Sequence, residues 1–169
     1  MRHQGYIESI KMLDLGFAGA LALWGFRASA AGQSQCCAIV AGYERAFGRQ
    51  SDDVLALMLD YAQILGNEGR RRIGLSRSGC GGLTADELSI VATLASAQLS
   101  GQAATTAHLT WLLGKSPNPD HVSLVYALGQ HFLRAGLVIA LPDISVSNPA
   151  PEPETEAQIT YIHPHMGTA

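Results

Sequence analysis

Cys80 lies in a run of small residues, Ser78-Gly79-Cys80-Gly81-Gly82, directly ahead of Leu83-Thr84-Ala85-Asp86-Glu87. Four arginines, Arg70, Arg71, Arg72 and Arg77, stand just upstream. A thiol near guanidinium groups and a helix start is favoured in its thiolate form, the nucleophilic one. The same stretch also suits a small anion, because glycines expose backbone N–H groups and arginines grip phosphate or carboxylate. Arg70, Arg71, Arg72, Arg77 and Cys80 are therefore the candidate ligand-binding set. The competing reading is a glycine-rich connector with solvated arginines. The stretch is not a Walker loop, since GxxxxGK[ST] is missing, and no buried parallel strand precedes it as a dinucleotide fingerprint requires.

Other chemistry-bearing residues are scattered. A lone cysteine supplies too few ligands for a metal, and adjacent Cys36 and Cys37 would diverge by about 100° on a helix. The histidines show no HExxH spacing. His108 shares a helical face with Ala104, Ala107 and Trp111, which predicts a packed, hydrogen-bonded core histidine. His121 and His131 face different directions, and the His163-Pro164-His165 triplet falls in a tail. No serine has a GxSxG context, and no carboxylate pair shares an apolar helix face. No catalytic residue, metal or cofactor is expected.

Holding such a loop requires a scaffold, and 169 residues allow one domain with a real core. Hydrophobic residues make up 47% and charged ones only 15%, below the usual quarter. The net charge of −3 argues against bulk nucleic-acid binding. Three cysteines do not close a disulfide framework, which points to reduced thiols in the cytoplasm. Arg2 and Lys11, the apolar stretch from Leu15 to Phe26 and the Ala28-Ser29-Ala30 triplet resemble parts of a secretory signal. Glu8 and Asp14 interrupt its basic start and Arg27 adjoins the cleavage position, so retention is the favoured reading. The apolar run is 12 residues, short of the roughly 20 a membrane span needs.

Periodicity predicts helices nearly throughout. The first covers about 8–31, with Phe17, Leu21, Trp24 and Ala28 on one face and apolar residues on the others, which places it centrally. The second covers 34–47 and stops at Gly48. The third opens at Ser51 as a cap and stops at Gly66, with Val54, Leu55, Met58, Tyr61, Ala62 and Leu65 as its stripe. Ile73 and Leu75 suggest a short extended piece. Thr84-Ala85-Asp86-Glu87 is a capping box opening the fourth helix, with Leu88, Val91, Leu94, Ala95 and Leu99 inward. The fifth covers about 102–113. The sixth starts at Asn118 with Pro119 in the first turn and stops at Gly136. The segment 137–142 reads as extended. From Pro142 on, five prolines and four acids with no lysine or arginine predict a mobile tail.

The expected fold is all-α: a compact bundle of five or six helices with an irregular Arg/Gly-rich loop. A single helical domain spans 1–141, and a flexible Pro-rich acidic tail spans 142–169. Leu83-Thr84 and the Glu87-Leu88 pair resemble the first helix of a LuxR-type helix-turn-helix. The segment that would read DNA, 120–136, carries one arginine on a largely apolar face, so no nucleic-acid partner is expected. Over about 20–115, the stretches LWGFRASAAGQSQCCAIVAGYERAFG, LALMLDYAQIL and GCGGLTADELSIVATLASAQ resemble a family of short, uncharacterised bacterial proteins classed as a domain of unknown function. That resemblance implies a compact helical cytosolic protein and no particular activity. Where the family carries a cysteine cluster, only Cys80 stands here. The reading this favours is a non-enzymatic protein of regulatory or adaptor type. It would act through a protein partner or self-association, with no membrane span. A small-anion or thiol site at Cys80 is the alternative.

Overall fold

A computed structural model describes residues 6–77, 79–141 and 159–162. Among these residues there are six α-helices: α1 (Gly16–Ala30), α2 (Cys37–Phe47), α3 (Ser51–Glu68), α4 (Ala85–Leu99), α5 (Gly101–Leu113) and α6 (Pro119–Arg134). Four short strands accompany them: β1 (Tyr6–Lys11), β2 (Ile73–Ser76), β3 (Gly82–Thr84) and β4 (Ile159–Ile162). The strands form two antiparallel pairs, β1 with β3 and β2 with β4. The all-α bundle is as expected, and no helix of the described residues is long and apolar enough to cross a membrane.

The first helix is shorter than the expected span of about 8–31. Tyr6–Lys11 is extended, with tyrosine and two isoleucines of strand-favouring type, and pairs with β3. A single 3-10 turn follows over Met12–Leu15, and Gly16 sits at φ +64°, where a side chain would be strained. Helix α1 begins only there. It ends in a Schellman turn: Gly32 is at φ +70° and the Gln33 N–H donates to the Ala28 carbonyl at 2.7 Å. Extended Cys36 then delays α2 to Cys37. Gln50 flanks α3, and Ser51 is its buried first residue rather than its cap. Residues 137–141 form no strand.

The core is aromatic where helices cross. Phe26 of α1 meets Tyr61 of α3 edge-on at 5.3 Å, and Phe47 of α2 meets Phe132 of α6 edge-on at 4.9 Å. Helices α4 and α6 approach through Gly129, where an added Cβ would lie 2.6 Å from the Ala97 Cβ. The most enclosed helix is α4, buried on all its faces from Asp86 to Gln98 apart from half-buried Ser89. Helix α1 keeps Phe17 in solvent (70% exposed), because the helix has only just begun at that point. The expected tail from Pro142 falls mostly outside the described residues. Within it, Ile159–Ile162 are paired with β2.

Candidate functional site

The first turn of α4 holds two consecutive carboxylates, Asp86 and Glu87, both buried. The capping box puts them there. Thr84 Oγ1 accepts from the Glu87 N–H at 3.1 Å, and the Glu87 side chain accepts from the Thr84 N–H at 2.9 Å. Each carboxylate also receives an arginine.

Arg27 reaches Glu87 from the last turn of α1. Its Nε donates to Oε1 at 2.7 Å and its Nη2 to Oε2 at 3.0 Å, a two-pronged pair with side chains 2% and 0% exposed. The remaining donors are also used. Nη1 donates to the Cys80 carbonyl at 2.8 Å and contacts Met12 Sδ at 3.8 Å, and Nη2 donates to the Gly82 carbonyl at 2.9 Å. All five guanidinium protons have acceptors. Glu87 is equally full: Oε1 also accepts from the Ser76 N–H at 2.8 Å, and Oε2 from the Thr84 N–H. A buried ion pair is tolerable only when its remaining hydrogen-bonding capacity is met, and here it is.

Arg71 makes a looser pair with Asp86. Its Nη2 donates to Oδ1 at 2.7 Å, with the arginine side chain 26% exposed, and the guanidinium lies 4.2 Å from the Trp111 ring centroid. Nη1 is buried with no hydrogen-bond partner among the described residues. Asp86 Oδ2 accepts from the Gly74 N–H at 2.7 Å, and Thr84 Oγ1 donates to the Gly74 carbonyl at 2.7 Å.

The five candidate residues are thus not gathered around one point. Arg71 is committed to Asp86 and Trp111. Arg70, Arg72 and Arg77 are exposed. The Arg70 backbone N–H donates to the Leu113 carbonyl at 2.7 Å, which ties the loop to the end of α5. Cys80 is half-buried, and it is its carbonyl, not its thiol, that the buried network engages. Ser78 lies outside the described residues. Sequence reasoning missed Arg27 and treated Glu87 only as a cap. A single arginine inside a helix apolar on every face was the available signal, since a charge there must find a buried partner.

Among the described residues, the histidines and the other cysteines gather no cluster. His108 is half-buried rather than in the core, because its face of α5 borders solvent near exposed Trp111. His121 Nε2 lies 3.1 Å from Glu68 Oε1, and Lys115 Nζ lies 3.6 Å from Glu68 Oε2, joining the end of α3 to the start of α6. His131 Nδ1 is 3.3 Å from Gln50 Oε1. Cys36 and Cys37 are exposed. Among the described residues, no three His, Cys, Asp or Glu side chains are placed to hold a metal, and residues 163–165 fall outside them.

Asp86, Glu87 and Thr84 bind one edge of β2, while Arg27 pulls two loop carbonyls inward. No protein-family model matches this chain, and no curated protein or solved structure matches it either.

Proposed function

We propose that the protein is a non-enzymatic, cytosolic contact protein of regulatory or adaptor type that works by docking a protein segment or a second copy of itself. One observation carries this reading: the saturation of Arg27 and Glu87. Arg27 and Glu87, beneath the candidate loop, are spent on each other, on the Ser76 and Thr84 N–H groups and on the carbonyls of Cys80 and Gly82. A catalytic or ligand-binding pair needs donors or acceptors free to meet a substrate. A saturated pair makes a rigid frame, which suits a surface that must keep its shape for a partner. The layout resemblance over about 20–115 to short helical bacterial proteins agrees with this reading.

The test sets this reading against the anion or thiol alternative. Phosphate, sulfate and nucleotides at millimolar concentration are expected to leave the melting temperature unchanged, and Cys80 to alkylate no faster than a free thiol at pH 7. Light scattering is expected to show concentration-dependent association, or cross-linking to show a specific partner. Ligand at a hundred times its dissociation constant would add about 2.7 kcal/mol of stability. A rise of that kind, abolished by Arg70→Ala or Arg77→Ala, would transfer the function to an anion site. A strict monomer without a cross-linked partner would remove the contact reading.

A further inference from the structure

Two features of the surface face solvent although their chemistry is that of a contact. The first is a knob where α1 begins. Leu13 and Phe17, 87% and 70% exposed, are the two most exposed large apolar side chains among the described residues, and exposed Asp14 stands between them in sequence. Asp14 Oδ2 accepts from the Lys11 N–H at 2.7 Å, a bond that uses one of its two carboxylate oxygens. The second feature lies at the end of α5. Trp111 is 49% exposed and carries the Arg71 guanidinium 4.2 Å from its ring centroid. Arg70 is held beside it: its N–H donates to the Leu113 carbonyl, and a Cβ added at Gly114 would lie 3.7 Å from the Arg70 Cβ. Arg70 and Arg72 are exposed, and among the described residues neither makes an ion pair. The carboxylates closest by are already engaged, Asp86 by Arg71 and Glu68 by Lys115 and His121. Helix α5 carries no acid of its own.

We propose that these are the two halves of one contact: the Leu13, Asp14 and Phe17 knob of one copy of the chain docks on the Trp111 and arginine site of a second copy. Leu13 and Phe17 then pack against the indole, and Asp14 meets Arg70 or Arg72. The inference rests on the contact reading above and names its occupant and its surface. The halves match in shape of chemistry and in charge. The knob offers one carboxylate between two apolar groups, and the site offers one aromatic ring beside exposed guanidiniums. Tryptophan and arginine are the residues that most often anchor protein interfaces, and burial of leucine and phenylalanine supplies the apolar driving force. Knob and site both stay exposed within one chain, so a chain does not fill its own site and a second copy is required. A nucleic acid fits less well, because the chain's net charge is −3 and Glu68 stands at the rim of the site. A contact between unlike surfaces leaves each copy with both halves to offer, so copies close reciprocally as a two-fold pair or continue head to tail.

The experiment follows self-association of the full chain by sedimentation velocity over a concentration series. Leu13→Ser combined with Phe17→Ser removes the knob. Trp111→Ser removes the ring, and Arg70→Glu reverses the charge of the site. The knob variant and each site variant are expected to raise the dissociation constant at least about tenfold. Mixing the knob variant with a site variant should restore association as one-to-one pairs, because one chain brings an intact site and the other an intact knob. Adding Asp14→Arg to the Arg70→Glu chain should recover about threefold of its loss, by restoring opposite charges across the contact. Circular dichroism checks that each variant is folded. If Trp111→Ser is not, Arg70→Glu decides, since its side chain is in solvent. Site variants that associate as tightly as the unsubstituted chain, or mixtures that do not pair, overturn the proposal and leave the contact reading to another surface. A strict monomer for the unsubstituted chain also overturns it, and the contact reading then depends on a cross-linked partner alone.

Discussion

Arg27 and Arg71 meet neighbouring carboxylates on one turn of one helix, yet they are built to different standards. Arg27 is buried in α1, and every donor it has is matched. Arg71 lies in a loop, leans on a half-exposed tryptophan, and leaves Nη1 unmatched among the described residues. Burial explains the contrast. Far from water an unmatched charge is prohibitively costly, so a deep pair survives only when complete. Arg71 is 26% exposed over its side chain as a whole, so its charge is partly screened by solvent although Nη1 itself is buried and unmatched among the described residues. The teaching is that identical residue types on adjacent positions carry different weight according to what surrounds them.

That contrast can be broken by measurement, beginning with the largest expected effect. Arg27→Met should strand Glu87 as an uncompensated buried charge, and it should also orphan the Cys80 and Gly82 carbonyls. A loss of about 3–5 kcal/mol in denaturant unfolding is expected, enough to threaten folding at 37 °C. Arg71→Ala should cost less, about 1–3 kcal/mol, since Asp86 keeps its bond from the Gly74 N–H. Equal losses for the two variants would show that completeness of the pair does not matter. The smallest effect should come from Trp111→Leu, which removes the ring beneath Arg71 at a cost of about 0.5–1 kcal/mol. High salt should shrink the Arg71 and Trp111 effects and leave the Arg27 effect nearly intact, because screening acts on exposed charges.

Much of the helical frame was legible in the chain. The capping box at Thr84 and Glu87, the stop at Gly48 and the Pro119 start depend on neighbours three or four residues apart, and local rules suffice for them. Strands were harder. Ile73 and Leu75 could be read as extended, but β1 was absorbed into the following apolar helix, because Tyr6–Lys11 becomes a strand only through β3. Residues 159–162 read as tail, since their pairing with β2 depends on an edge far back in the sequence. The candidate site suffered most. Clustering of arginines along the chain suggested a shared target, whereas in space Arg71 turns to Asp86 and the others face solvent. The arginine that does organise the loop sits alone in α1, and nothing near it in sequence announces its partner.

The separation of that partner has a consequence for biosynthesis. Arg27 and Glu87 are 60 residues apart, so at roughly 5–20 residues per second the ribosome adds Glu87 about 3–12 s after Arg27. Throughout that interval the nascent chain holds a cation in the last turn of α1 with no counter-charge yet made. Enclosing the helix early would trap that cation dry. The vectorial order of translation therefore makes α1 wait for the opening turn of α4 before it can be packed away.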